Sequence, residues 1–152
     1  MPTELYTTES AAETEALGRG LARRIMTEHR LDRECVFIAL YGGLGAGKTA
    51  FVRGLASALA PSSTVSSPTY AIVNEYRNPP ITLAHFDLYR IESEDDLLSC
   101  GFDDYFRPGT VIAAEWCENI PYALPQNYYK VKLAVIGEGT RGVTIEYISG
   151  AL

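Results

Sequence analysis

CVFIALYGGLGAGKTAFVRGLASALA, residues 35–60, decides the fold class. Cys35–Tyr41 is a nearly unbroken apolar run, β-branched and aromatic. Such a run predicts a central strand buried on both faces. Gly42–Thr49 then reads GGLGAGKT, a full match to G-x-x-x-x-G-K-[ST]. Ala50–Ala60 places Phe51, Leu55 and Leu59 on one helical stripe, and Pro61 stops it. Strand, glycine loop and helix occur in the order this motif requires.

Each part of the loop has a chemical reason. Glycines let backbone N–H groups turn inward and form an anion nest. The helix that begins near Lys48 points its positive end at the same place. Lys48 supplies a point charge for the β- and γ-phosphates of a nucleotide, and Thr49 a hydroxyl for Mg²⁺. Such a site also needs an acid at the end of a neighbouring strand. Val111–Ala114 is a short apolar strand ending at Glu115, the cleaner pattern, so Glu115 is the expected metal-side acid. Leu83–Phe86 ends at Asp87, the expected second acid, for the attacking water or the metal's water shell.

Outward from this centre, residues 1–9 read as an edge strand or loose arm. Ser10 and Glu13 form a capping-box pattern ahead of a helix over 11–29, with Leu17, Leu21 and Ile25 as its apolar stripe. Arg19, Arg23, Arg24 and Arg30 read as its solvated face. Residues 61–69 are a Ser/Thr/Pro loop. Strands are expected over 70–76 and 81–86, joined at Asn78-Pro79-Pro80, and an acidic helix over 91–100. Residues 117–127 read as a loop, and 128–135 with 143–148 as a closing antiparallel hairpin. A P-loop strand with flanking helices requires a parallel sheet centre. The expected fold is therefore α/β, P-loop NTPase-like and three-layered. Its central sheet is mixed and mostly parallel, with a C-terminal antiparallel hairpin. With no repeat and no composition break, one domain over 1–152 is expected.

Composition narrows the partners. Thirteen Lys and Arg against nineteen Asp and Glu leave a net charge of −6. That balance argues against a stand-alone nucleic-acid binder. Cys35, Cys100 and Cys117 show no C-x-x-C spacing and an odd count, which fits a reducing compartment better than a disulfide scaffold. Neither a signal-peptide pattern nor a membrane-length apolar run is present, so a cytoplasmic location is expected.

Four segments carry a resemblance to a known family: GGLGAGKTAFVRGLASAL (42–59), SSPTYAIVNEY (66–76), HFDLYRI (85–91) and AAEWCENIP (113–121). In this order and spacing the chain resembles TsaE, the P-loop ATPase of bacterial tRNA N6-threonylcarbamoyladenosine biosynthesis. The resemblance implies binding of ATP and Mg²⁺ and weak hydrolysis alone. It also implies work with the TsaB–TsaD pair, whose TsaD modifies adenosine 37 of tRNA; contact with tRNA is then indirect. Carried onto this sequence, it implies nucleotide contacts from Gly43, Leu44, Gly45, Ala46, Gly47, Lys48, Thr49 and Ala50. It places Thr69 of Ser67-Pro68-Thr69 near the γ-phosphate and Trp116 beside the nucleotide. It puts Ser10 and Thr14 near the adenine. The catalytic set implied is Lys48, Asp87, Glu115 and Thr69, with Thr49 and Glu115 toward the metal. Gly43 stands where many members carry an acid, and Cys117 where Pro is frequent; neither supplies loop chemistry.

Two other readings stay open. A small-molecule P-loop kinase would need a basic lid, whereas Arg77, Arg90 and Arg107 are scattered. A nucleotide-sensing module would bind without hydrolysing. The sequence offers no obvious arginine finger of its own, so slow intrinsic turnover and stimulation by partners are expected.

Overall fold

A computed structural model describes residues 3–68 and 72–150. Seven strands form one sheet in the order β1-β7-β6-β2-β5-β4-β3. The strands are β1 (Glu4–Thr8), β2 (Val36–Tyr41), β3 (Val73–Asn78), β4 (Ile81–Asp87), β5 (Thr110–Glu115), β6 (Asn127–Gly137) and β7 (Thr140–Ser149). The helices are α1 (Ala11–Thr27), α2 (Lys48–Leu59) and the short α3 (Glu94–Ser99). The central four strands, β6, β2, β5 and β4, are parallel, and antiparallel pairs flank them on both sides. The expected α/β architecture with its mixed sheet is what the chain adopts.

β2 lies at the centre with five of its six residues buried, as its unbroken apolar run requires. On one face, Ile38 and Leu40 of β2 meet Leu21 and Ile25 of α1 and Phe51 and Leu55 of α2. The two helices touch through small residues. A Cβ on Gly54 would lie 1.9 Å from the Glu15 carbonyl oxygen, and one on Gly18 would lie 2.1 Å from that of Phe51. Only glycine permits this approach. On the other face, Phe37, Phe86, Leu97 and Phe102 fill a second core under α3 and several one-turn 3₁₀ segments. Helices and turns on both sides of the sheet make three layers.

The Ser10 cap forms: the Glu13 N–H donates to Ser10 Oγ at 3.1 Å. The Glu13 carboxylate reaches one residue past the cap, to the Glu9 N–H at 2.9 Å. Three of the four arginines expected on a solvated face are engaged instead. Arg24 pairs with Glu4 of β1 at 3.0 Å, Arg19 donates to Ser57 at 2.9 Å, and Arg30 lies 4.6 Å from the Tyr147 ring. The edge strand, α2 and the closing hairpin each reach one of these arginines, which periodicity within the helix could not show. The acidic helix is shorter than expected because Ser93 caps it, accepting from the Asp96 N–H at 3.1 Å. The closing hairpin turns tighter than expected, at Glu138-Gly139, because Gly139 adopts a φ of 73°.

Candidate functional site

The loop Gly42–Gly47 leaves the C-terminal end of β2 and enters α2 at Lys48. Its first glycine is dictated by contact, since a Cβ on Gly42 would lie 2.6 Å from the Leu133 carbonyl oxygen of neighbouring β6. Its last, Gly47, stands at the helix N-cap with φ 105°, a conformation L side chains avoid. It carries no capping side chain, so the first N–H groups of α2 remain available at the loop. The positive end of a 12-residue helix faces the same point.

Two neighbouring parallel strands end beside this loop. The β4–β5 register sets Asp87 directly opposite Glu115, so both carboxylates stand on one face of the sheet, the face α2 covers. Glu115 is buried. One of its oxygens lies 3.4 Å from Lys48 Nζ and the other 2.6 Å from His85 Nε2. Burial pushes the Glu115 carboxyl up; the His85 hydrogen bond and the charges of His85 and Lys48 outweigh it and leave it below the ordinary value. Lys48 Nζ also donates to the Gly42 carbonyl at 2.7 Å, so the amine is folded back onto its own loop. His85 is fully buried, and its hydrogen-bond partner is the acid itself.

After Glu115 the chain turns sharply. Trp116 takes φ 64°, a strained value for a bulky residue, of order 1 kcal/mol or more. The turn lays its ring 5.4 Å from Lys48 Nζ and 4.9 Å from the ring of Tyr89. Asp87 accepts the Tyr89 N–H at 3.1 Å, which fixes the start of the loop after β4.

These residues line one cleft of about 640 Å³. Of the residues singled out from the sequence, Leu44, Gly45, Ala46, Gly47, Lys48, Thr49, Asp87, Glu115 and Trp116 face it. Ser67 and Tyr89 join them, neither having been assigned a role. Gly43 is exposed beside the cleft and Ala50 is buried in the first turn of α2. Ser10 and Thr14 sit behind the loop. Ser10 Oγ is held by its cap, and Thr14 is buried with its hydroxyl 2.8 Å from that of Thr8. The Thr14 methyl lies 3.5 Å from where a Gly47 Cβ would stand. Thr69 lies outside the described residues. The role of Arg141 went unread. Its Nη2 and Nε donate to the Gly45 carbonyl at 3.0 and 3.2 Å from 96 positions downstream, and no local pattern marks that contact.

A parallel-centred α/β sheet, a glycine loop opening a helix and two acids at adjacent strand ends define a P-loop nucleotide-binding fold. The comparisons with known proteins are specific. The family model described as threonylcarbamoyl adenosine biosynthesis protein TsaE matches residues 8–143, and the chain belongs to the TsaE family, whose members take part in tRNA threonylcarbamoyladenosine biosynthesis. Among curated relatives, the Nostoc TsaE is 41% identical over 113 residues, covering 71% of this chain and 68% of that protein. The Bacillus subtilis TsaE is 38% identical over 107 residues, covering 70% of this chain and 66% of the relative. The matched region thus spans about two thirds of the length of either relative. The crystal structure of Bacillus subtilis YdiB superposes with a TM-score of 0.73 at 27% identity, covering 98% of this chain and 87% of that one.

Proposed function

We propose that this chain binds ATP with Mg²⁺ and hydrolyses it slowly, as a step in the threonylcarbamoyl modification of tRNA adenosine 37 carried out with the TsaB–TsaD pair. The observation that supports this most is the convergence of Lys48, Glu115 and Asp87 at the mouth of the glycine loop. Anion-binding amides, a lysine and two strand-end acids are the parts phosphoryl transfer needs.

In this reading Lys48 and the amides of residues 43–49 other than Ala46, whose N–H donates to the Gly43 carbonyl, bind the phosphates. Lys48 leaves the Gly42 carbonyl to do so. The Thr49 hydroxyl and Glu115 are the oxygen donors for the metal, and Mg²⁺ takes few protein oxygens beside phosphate. When bound, Mg²⁺ supplies neutralisation of the phosphate charge. His85 holds one Glu115 oxygen and so orients the carboxylate, whose other oxygen, beside Lys48, would be the one to serve the metal. Asp87, level with Glu115, orients the attacking water; the γ-phosphate role of Thr69, which lies outside the described residues, rests on the family resemblance alone. Ser10 and Thr14, behind the loop, stand toward the adenine, and Trp116 and Tyr89 form an aromatic wall of the cleft. The whole region 1–152 acts as one domain, in the cytoplasm.

The test is phosphate release from ATP and Mg²⁺, alone and with the TsaB–TsaD pair, beside Lys48→Ala and Glu115→Ala. Stimulation by the pair that falls about 100-fold or more in both variants is the expected result. Release that ignores the pair but requires a small acceptor would replace this reading with a kinase. Tight binding without release in any mixture would replace it with a sensing module.

A further inference from the structure

Arg141 lies on β7, paired across the sheet with Thr8 of β1 and Val135 of β6. Its guanidinium is spent on backbone carbonyls. Nε and Nη2 donate to Gly45 at 3.2 and 3.0 Å, and Nη1 to Thr140 at 3.1 Å and Gly137 at 3.5 Å. The two ends of a trans peptide point in opposite directions. The plane whose C=O is Gly45 carries the N–H of Ala46, and that N–H donates to the Gly43 carbonyl at 3.2 Å. The 45–46 peptide is therefore held at both ends, by the hairpin outside and by the loop's own turn inside. Among the described residues no carboxylate lies within ion-pair distance of Arg141. Among the described residues its positive charge stands beside the loop without an acidic partner.

We propose that Arg141 is a positioning residue for nucleotide phosphates: it presets the glycine loop through the Gly45 carbonyl and adds an unneutralised positive charge to the site. The inference rests on the nucleotide-binding reading above. A loop already fixed in its binding shape loses less conformational freedom when phosphate arrives, and the difference appears as affinity. Three guanidinium nitrogens serve three carbonyls, which a lysine ammonium on a flexible stem cannot reproduce with the same geometry.

Trp116 is the only tryptophan and lines the cleft, so its fluorescence reports binding directly. The experiment titrates ATP, ADP and adenosine, each with Mg²⁺, into the full chain, Arg141→Met and Arg141→Lys, with urea unfolding of each in parallel. Arg141→Met is expected to weaken ADP and ATP about tenfold, and Arg141→Lys to recover part of that loss. Adenosine, lacking phosphate, is expected to bind all three alike. In turnover the loss is expected in KM, with kcat changed by less than about twofold. Variants that unfold at lower urea yet bind ADP like the unaltered chain would overturn the inference and leave Arg141 a structural brace. Equal weakening of adenosine would overturn it too. If the unaltered chain bound neither nucleotide, the nucleotide reading would fall and this inference with it.

Discussion

On one face of the sheet, α1 and α2 approach so closely that two glycines carry the contact; on the other, six rings interlock beneath one short helix and a few turns. Phe37, Phe86, Phe102, Phe106, Tyr105 and Tyr128 lie with centroids 5.1–6.4 Å apart on that second face. The helical face gains order from regular backbone, and the aromatic face gains it from side chains. The three cysteines all lie on the aromatic face. The loop and Lys48 belong to the helical face, whereas Tyr89 and Trp116 follow strand ends roofed by the aromatic one. The cleft therefore depends on both.

If side chains alone organise the aromatic face, Phe102→Ala should have the largest effect, about 4 kcal/mol of unfolding free energy in urea. Phe102 is 1% exposed and touches three other rings. A loss below about 1 kcal/mol would show the face to be a cover rather than a core. Gly54→Ala should follow at about 3 kcal/mol, because a Cβ meets backbone that cannot step aside. Since α2 begins at Lys48, the same variant should also weaken ATP, which Trp116 fluorescence would show.

The two faces share one device, a serine cap with an acid reaching back past it, at Ser10 with Glu13 and at Ser93 with Asp96. Ser10→Ala should cost about 1 kcal/mol and Ser93→Ala about half as much, read from thermal midpoints. Equal costs would mean that α3 matters as much as α1. The smallest effect concerns reactivity rather than stability. Burial pushes the Cys35 thiol up to about 12 and raises Cys100 and Cys117 as well. At about pH 8 all three should be protonated and label slowly with iodoacetamide. With rising urea, Cys100, at the end of α3, should label before far-ultraviolet dichroism falls, and Cys117 only with it. Simultaneous labelling would show that the aromatic face does not open by itself.

The same contrast governs what could be read before the fold was known. α1, β2 and α2 are periodic or uniformly apolar, and their bounds came within about two residues, the usual accuracy at element ends. The aromatic face has no period: its rings come from β2, β4, β6 and the segment around 102–106, so only the register assembles them. At the cleft, the loop residues and both acids were legible because motif and strand end are local signals. The His85 bond to Glu115 and the Arg141 bond to Gly45 were not, since they span 30 and 96 positions. Tyr89 reached the cleft through a turn after β4 that its own residues do not announce.

β1 pairs with β7, joining residues 4–8 to 141–145, and Arg141 reaches the loop from that same seam. A contact of such sequence separation forms late, because a long loop must close before it is rewarded. On a ribosome the phosphate loop is synthesised in the first third of the chain, yet its clamp emerges near residue 141. A nascent chain halted in between would carry the full motif on a loop without that clamp. The loop's full rigidity thus waits on a strand made long after the motif it braces.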